Sequence, residues 1–183
     1  LGGGWRVELN NDTLPKVLVN NEYYKEVAKT ATQKKDKEYL SNKLSSANWL
    51  VRSLDQRAQT ILKVASEIVE QQDAFFNYGI EFLKPLTLKD IAEEIDMHES
   101  TVSRVTNNKY IGTPRGIFEL KYFFSTALVS ENGTSYSAES IRARIQNLID
   151  EEDPKKILSD DKIVDILKSE GIDIARRTVA KYR

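Results

Sequence analysis

Leu40, Leu44, Ala47, Val51, Leu54, Ala58, Ile61, Ala65 and Ile68 recur at alternating intervals of four and three. That spacing puts all nine on one stripe of an α-helix, and Leu50, Leu62 and Val69 widen it. No glycine or proline falls between Lys16 and Tyr78 to interrupt the pattern. It predicts one amphipathic helix from about Asp36 to about Phe76, on the order of 60 Å long at 1.5 Å per residue. A heptad seam of this kind would also serve a dimeric coiled coil. Three alanines among nine seam positions make a weak zipper but admit a neighbouring helix closely. The stripe therefore reads as an intramolecular spine, with the homodimer as the alternative.

Elsewhere the pattern is broken into shorter pieces. Trp5, Val7 and Leu9 alternate with Arg6, Glu8 and Asn10, which predicts a short strand or extended segment, with turn chemistry around Asn10. Gly79 and Pro85 close the long helix, and a pair of short helices is expected between Leu86 and Asn108. Tyr110-Ile-Gly-Thr-Pro-Arg-Gly116 reads as a turn, and the apolar stretch Ile117–Val129, with Phe118, Tyr122, Phe123 and Phe124, as core. Ser130-Glu-Asn-Gly-Thr-Ser135 has the composition of a linker. Beyond it Ser137 should cap a helix that places Ile141, Ile145, Leu148 and Ile149 on one face. Asp150-Glu-Glu-Asp-Pro154 ends that helix. Ser159 should cap the next, with Asp160 and Asp161 in its first turn, and Gly171 should end it. The expected fold is all-α: a long helical spine, a helix-turn-helix domain and a separate small C-terminal three-helix domain.

Charge changes the picture only when it is mapped. A net charge of −1 does not point to a nucleic-acid partner. Yet Glu131–Asp173 carries eleven acidic side chains against six basic, whereas Ile174–Arg183 carries four basic and none acidic. Cysteine is absent, which removes disulfides, thiolate nucleophiles and thiolate metal sites and fits a cytoplasmic location. No apolar run approaches the roughly 20 residues that span a bilayer, so no membrane partner is expected. The opening Leu1-Gly-Gly-Gly-Trp is not a signal peptide and lacks an initiator methionine, and the chain stops on Arg183, so a longer parent protein is expected.

Two segments carry the same plan. Asp90-Ile-Ala-Glu-Glu-Ile-Asp-Met-His-Glu-Ser-Thr-Val-Ser-Arg104 has the form of a helix-turn-helix. Ile91, Ala92 and Ile95 face inward, Asp96 takes the left-handed turn position, Met97 fills the space beneath it, and His98 is the N-cap. Val102 and Val105 anchor the second helix, leaving Glu99, Ser100, Ser103, Arg104 and Asn107 outward, toward the groove in this motif. The C-terminal copy, Ile166 to Arg183, puts Gly171 at the turn, Ile172 at the buried position and Asp173 at the N-cap. On a helical wheel Ala175, Thr178, Val179 and Tyr182 form the inward face, and Arg176, Arg177, Ala180, Lys181 and Arg183 the outward one. An arginine fork beside small Ala180 can pair with O6 and N7 of guanine, while Lys181 and Arg183 can hold phosphates. Cations are favoured at helix C-termini but not in the first turn, where Arg176 and Arg177 lie, so an anionic partner accounts for them better than local electrostatics.

Enzymatic chemistry finds no purchase. There is no phosphate-cradling Gly-Lys loop and no His/Cys metal set, and Tyr182 falls on an inward face. No cofactor or metal is expected.

Ala175-Arg-Arg-Thr-Val-Ala-Lys-Tyr-Arg183 resembles the RpoN box, the signature of the bacterial sigma-54 factors of RNA polymerase; the glutamate that normally follows is not present. The resemblance runs upstream through Ile111-Gly-Thr-Pro-Arg-Gly-Ile-Phe-Glu-Leu-Lys-Tyr-Phe-Phe-Ser125 and the long helix with Ala47-Asn-Trp-Leu50 and Arg57, covering roughly residues 36–183. It implies a division into the end of a core-polymerase-binding domain (1–35), an extra-long helix (36–78), a helix-turn-helix domain (79–129), a linker (130–136) and an RpoN-box DNA-binding domain (137–183). It further implies that Arg176 and Arg177 read a GG-containing upstream promoter element and that the first helix-turn-helix, with Arg104, sits near a GC-containing downstream element. Promoter DNA and core RNA polymerase are the implied partners. An AAA+ activator is a third, chiefly through the family's glutamine-rich N-terminal region, which has no counterpart here. The alternative on pattern alone is a dimeric helix-turn-helix regulator that binds a palindromic operator.

Overall fold

The protein is described by a computed structural model covering residues 4–129, 135–153 and 156–183. It divides into two compact units, Val7–Lys63 and Val64–Arg183, the latter with Leu1–Arg6.

Among the described residues, positions 4–10, where the alternation predicts a short strand or extended segment, form neither helix nor strand. Around Asn10 its side chain accepts from the Asp12 N–H (3.1 Å) and its carbonyl from the Thr13 N–H (3.3 Å), the turn expected there. A helix the apolar pattern did not announce follows, α1 (Asn21–Thr30), capped by the Asn20 side chain accepting from Tyr23 N–H at 2.9 Å. It has no buried residue, so no stripe marked it. The spine is α2 (Lys34–Gln71), 38 residues long. Its buried positions are Val64, Ala65, Ile68 and Val69, and the seam from Leu40 to Ile61 is only half-buried.

The expected helix ends five residues early. At Gln72 the backbone leaves helical angles (φ −102°, ψ 21°), and a separate helix, α3 (Asp73–Tyr78), begins at the next residue. The cause is the Gln72 side chain, which is fully buried. Its Nε2 donates to the carbonyls of Lys84 (2.9 Å) and Phe123 (3.3 Å), and its Oε1 accepts from the Lys84 N–H (2.9 Å). Around it lies an aromatic core. Phe75 meets Phe76, Phe118 and Phe123 edge-on, with ring centroids 5.2–5.3 Å apart. Of the stretch read as core rather than a base-stacking platform, Leu120 and Phe123 are buried and Phe118, Tyr122 and Phe124 half-buried, whereas Ile117 is exposed.

The all-α expectation is corrected by two small antiparallel ladders among the described residues. Strands β1 (Tyr110–Thr113) and β2 (Gly116–Glu119) pair Ile111 with Phe118 and Thr113 with Gly116, so the segment expected to be only a turn is a hairpin around Pro114-Arg115. Its tip is clasped by Arg115, which donates to the carbonyls of Phe76 (2.9 Å) and Asn77 (2.6 Å) at the end of α3. Strand β3 (Ala127–Val129) pairs with β4 (Ser135–Ser137), so Ser135 and Tyr136 of the expected linker are strand. Positions 130–134 lie outside the described residues.

Both turn motifs leave their first helix through the same Schellman geometry, at the two residues expected to take the left-handed turn. Helices α4 (Leu88–Glu94) and α5 (Glu99–Thr106) are joined through Asp96 at φ 53°. The Met97 N–H bonds Ala92 O (2.9 Å) and the Asp96 N–H bonds Glu93 O (3.4 Å), a Schellman pair. After α6 (Ala138–Asp150), capped by Ser137, and α7 (Asp160–Ser169), capped by Ser159, Gly171 at φ 86° repeats it. Ile172 N–H bonds Leu167 O (2.8 Å) and Gly171 N–H bonds Lys168 O (3.1 Å). Tyr136 adds its hydroxyl to the Gly171 carbonyl at 2.7 Å.

The C-terminal core is Ile141, Ile145, Leu148, Ile163, Leu167, Ile174 and Val179. Arg144 of α6 braces it by bonding Glu170 at the end of α7, and this hydrogen bond holds the Glu170 carboxyl below its usual range against the opposing effect of burial. A Cβ on Gly171 would meet nothing within 4 Å, so only the backbone angle resists substitution. Gly171→Ala should cost about 1–2 kcal/mol in a denaturant melt. Gly112→Ala is the control: its φ is not positive and its Cβ would be unhindered, so it should be neutral.

Candidate nucleic-acid interface

Each helix-turn-helix presents its second helix to solvent. On α5, His98 is the N-cap as expected, its Nδ1 accepting from the Ser100 N–H at 3.2 Å. Val102 is buried and Thr106 nearly so, its hydroxyl turned back onto Val102 O (3.0 Å), while Val105 and Met97 are half-buried. Glu99, Ser100, Arg104 and Asn107 are exposed and Ser103 half-buried. The Ser100 hydroxyl is already engaged with His98 Nδ1 (2.8 Å), and Asn107 lies just past the helix as its C-cap. With one carboxylate, Glu99, one guanidinium, Arg104, and two serines between them in sequence, this face has acceptors and donors but no net charge. It suits hydrogen bonds to neutral base edges better than phosphate attraction.

The C-terminal helix is different in kind. Helix α8 (Arg176–Tyr182) starts two residues later than expected: the N-cap is Ala175, not Asp173, and it offers no side-chain cap. The turn from Gly171 is correspondingly longer than the one from Asp96. Ala175 is therefore exposed rather than inward, while Val179 is fully buried and Thr178 and Tyr182 half-buried, as expected. Arg176, Arg177, Ala180 and Lys181 are exposed on the outward face. The Tyr182 ring is flanked by two cations, Arg142 at 5.2 Å and Lys181 at 5.7 Å from its centroid.

The four basic side chains are not equivalent. Arg183 donates from Nη1 to Leu158 O (2.9 Å) and to Asp160 Oδ1 (3.0 Å), which ties the end of α8 to the start of α7. Arg176 Nε lies 3.3 Å from Asp161 Oδ1. Among the described residues no hydrogen bond or ion pair engages Arg177, which leaves its fork open. Asp160 and Asp161 were legible only as favourable first-turn charges of α7; that they also face α8 depends on the packing of two helices and had no signal in the sequence. Among the described residues no helix is long and apolar enough to cross a membrane.

Comparison with known proteins agrees with this architecture. The family model described as "Sigma-54, DNA binding domain" matches residues 37–183. RNA polymerase sigma-54 factor 2 of Bradyrhizobium diazoefficiens is 61% identical over 182 residues, covering 99% of this chain and 34% of that protein. The sigma-54 factor of Caulobacter vibrioides is 60% identical, covering 100% of this chain and 37% of its own length. Among solved structures, Aquifex aeolicus sigmaN bound to promoter DNA is 36% identical with a TM-score of 0.62, over 96% of this chain and 52% of that one. The chain thus spans about a third of the length of these curated relatives. Two successive helix-turn-helices, an RpoN-type basic helix and a family match over most of the length place it in one group: the chain belongs to the family of sigma-54 DNA-binding domains.

Proposed function

We propose that this chain is the promoter-recognition part of a sigma-54 transcription initiation factor, with α8 reading the GG upstream element and α5 lying at the GC downstream element. The observation that carries the reading is the α8 face itself. Arg176, Arg177 and Lys181 surround a small Ala180 with no acidic residue on the helix, and Arg177 has an open fork. Bidentate pairing of such a fork with guanine O6 and N7 is the commonest specific contact to DNA. The uncharged balance of the α5 face supports a division of labour, in which α8 supplies most of the electrostatic attraction and α5 adds base contacts through Glu99, Ser103 and Arg104. Residues 1–35 and α2 connect these readers to core RNA polymerase. The AAA+ activator acts chiefly through a region of the relatives that has no counterpart in these 183 residues. The role is one of binding and recruitment rather than catalysis, in the cytoplasm.

Titration of the purified chain on a duplex carrying both elements, against a scrambled duplex at the same salt, tests this. Specific sites typically bind about 10³-fold or more tighter than random DNA for complete DNA-binding proteins. A preference of at least tenfold, with an asymmetric footprint over two unlike elements, is expected here. Equal affinity, or a symmetric footprint from a stable homodimer, would overturn the reading in favour of a palindrome-binding regulator.

A further inference from the structure

Arg176 stands in the first turn of α8, where the unpaired N–H groups carry partial positive charge and repel a cation. Ala175 brings no capping acceptor to that end. The carboxylate that meets Arg176 comes from a different helix: Asp161 of α7, at 3.3 Å, with both side chains two-thirds exposed. Its neighbour Asp160 does a different job. It is mostly covered, and Arg183, which it holds, also donates to the Leu158 carbonyl. One acidic turn therefore has a structural prong, Asp160, and a solvent-facing prong, Asp161.

An exposed pair of this kind adds little to stability, and its consequence lies instead in what can bind beside it. Asp161 meets only Nε, so a phosphate oxygen that takes the Nη groups of Arg176 must come to rest within a few ångströms of that carboxylate. This distance is well inside the screening length of about 8 Å at physiological salt. A guanine edge offers O6 and N7 with partial rather than formal negative charge, so it can take the same guanidinium with much weaker repulsion. The carboxylate thus penalises one kind of contact and spares the other, which is how discrimination is raised without any new attraction. Arg177, with no ion-pair partner among the described residues, has no equivalent filter. Resting on the reading of α8 as a DNA-contacting helix, we infer that Asp161 is a specificity-determining residue. It holds Arg176 off the phosphate backbone and leaves it available to base edges.

The test is a salt-dependent titration of the 183-residue chain and its Asp161→Asn and Asp161→Glu variants, on the GG/GC duplex and on the scrambled duplex. Asp161→Asn should bind the scrambled duplex about 3–10-fold tighter. Its slope of log K against log salt there should steepen by about one, the signature of one added phosphate contact. Affinity for the GG/GC duplex should change less than twofold, so the specificity ratio falls. Asp161→Glu, which keeps the charge, should restore the wild-type ratio and slope. A variant that tightens on both duplexes by the same factor, or on neither, overturns the inference, as does failure of glutamate to restore the ratio. A wild-type preference for the GG/GC duplex that disappears in Arg177→Ala would uphold the α8 reading whatever Asp161 does. A wild type with no preference overturns both.

Discussion

Gln72→Leu will destabilise the unit around the helix-turn-helix by about 3–5 kcal/mol, although leucine is the more hydrophobic residue and of similar size. The amide it removes is fully buried and makes three contacts, to the Lys84 N–H, the Lys84 carbonyl and the Phe123 carbonyl. A buried backbone group left without a partner costs roughly 1–3 kcal/mol. Ser125 reaches the Lys84 carbonyl only weakly, at 3.5 Å, and cannot compensate. The gain from burying a leucine offsets part of this loss, which is why the expected total is below the sum of three orphaned groups. Urea unfolding followed by circular dichroism, comparing midpoints at unchanged slope, measures it. A loss under about 1 kcal/mol would mean the backbone relaxes to pair elsewhere, and the helix break would then need another cause.

The second large effect concerns recognition. Arg177→Ala should weaken binding to the GG/GC duplex by about 1–3 kcal/mol, a factor of roughly 5 to 150, and relax selectivity at the upstream guanines. Arg177→Lys separates the contributions, because lysine keeps the charge but not the planar two-pronged donor. If the fork reads a base, lysine should keep the salt slope yet lose most of the preference for the GG element. If Arg177 only holds phosphate, lysine should bind nearly as well as the wild type, and alanine should weaken binding equally on every sequence. Filter binding across a salt series on promoter and scrambled DNA distinguishes the two.

Much of this architecture could be read from residue order, for reasons that are local. Asp96 and Gly171 were identifiable as turn residues because a positive φ demands one of a few side chains, and the helices on either side have strong apolar faces. His98, Ser137 and Ser159 were legible as caps because a cap needs only an acceptor at the right offset. The β1–β2 hairpin was not, since four-residue strands containing Gly112 and Gly116 next to Pro114 give too few positions for a period of two. Gln72 was also invisible: a polar residue in a helical run reads as a surface position, and only the tertiary fold supplies the carbonyls that bury it. At the candidate site the wheel gave the direction of each α8 side chain correctly for Arg176, Arg177 and Lys181. It could not show that Asp160 claims Arg183, because a wheel describes one helix and that contact needs two.

The uneven burial of α2 has a consequence for how the molecule opens. Its buried positions are confined to Val64–Val69, next to the aromatic core, while more than half its length has only a half-covered stripe. Amide hydrogens in the last two turns can exchange with solvent only when that core comes apart. Those in the first turns can exchange through fraying that disturbs no buried contact. Isotope exchange would accordingly grade along the helix rather than switch at its ends, and limited proteolysis would nick its first half well before its last turns. A rod that is continuous in geometry is thus divided in opening free energy.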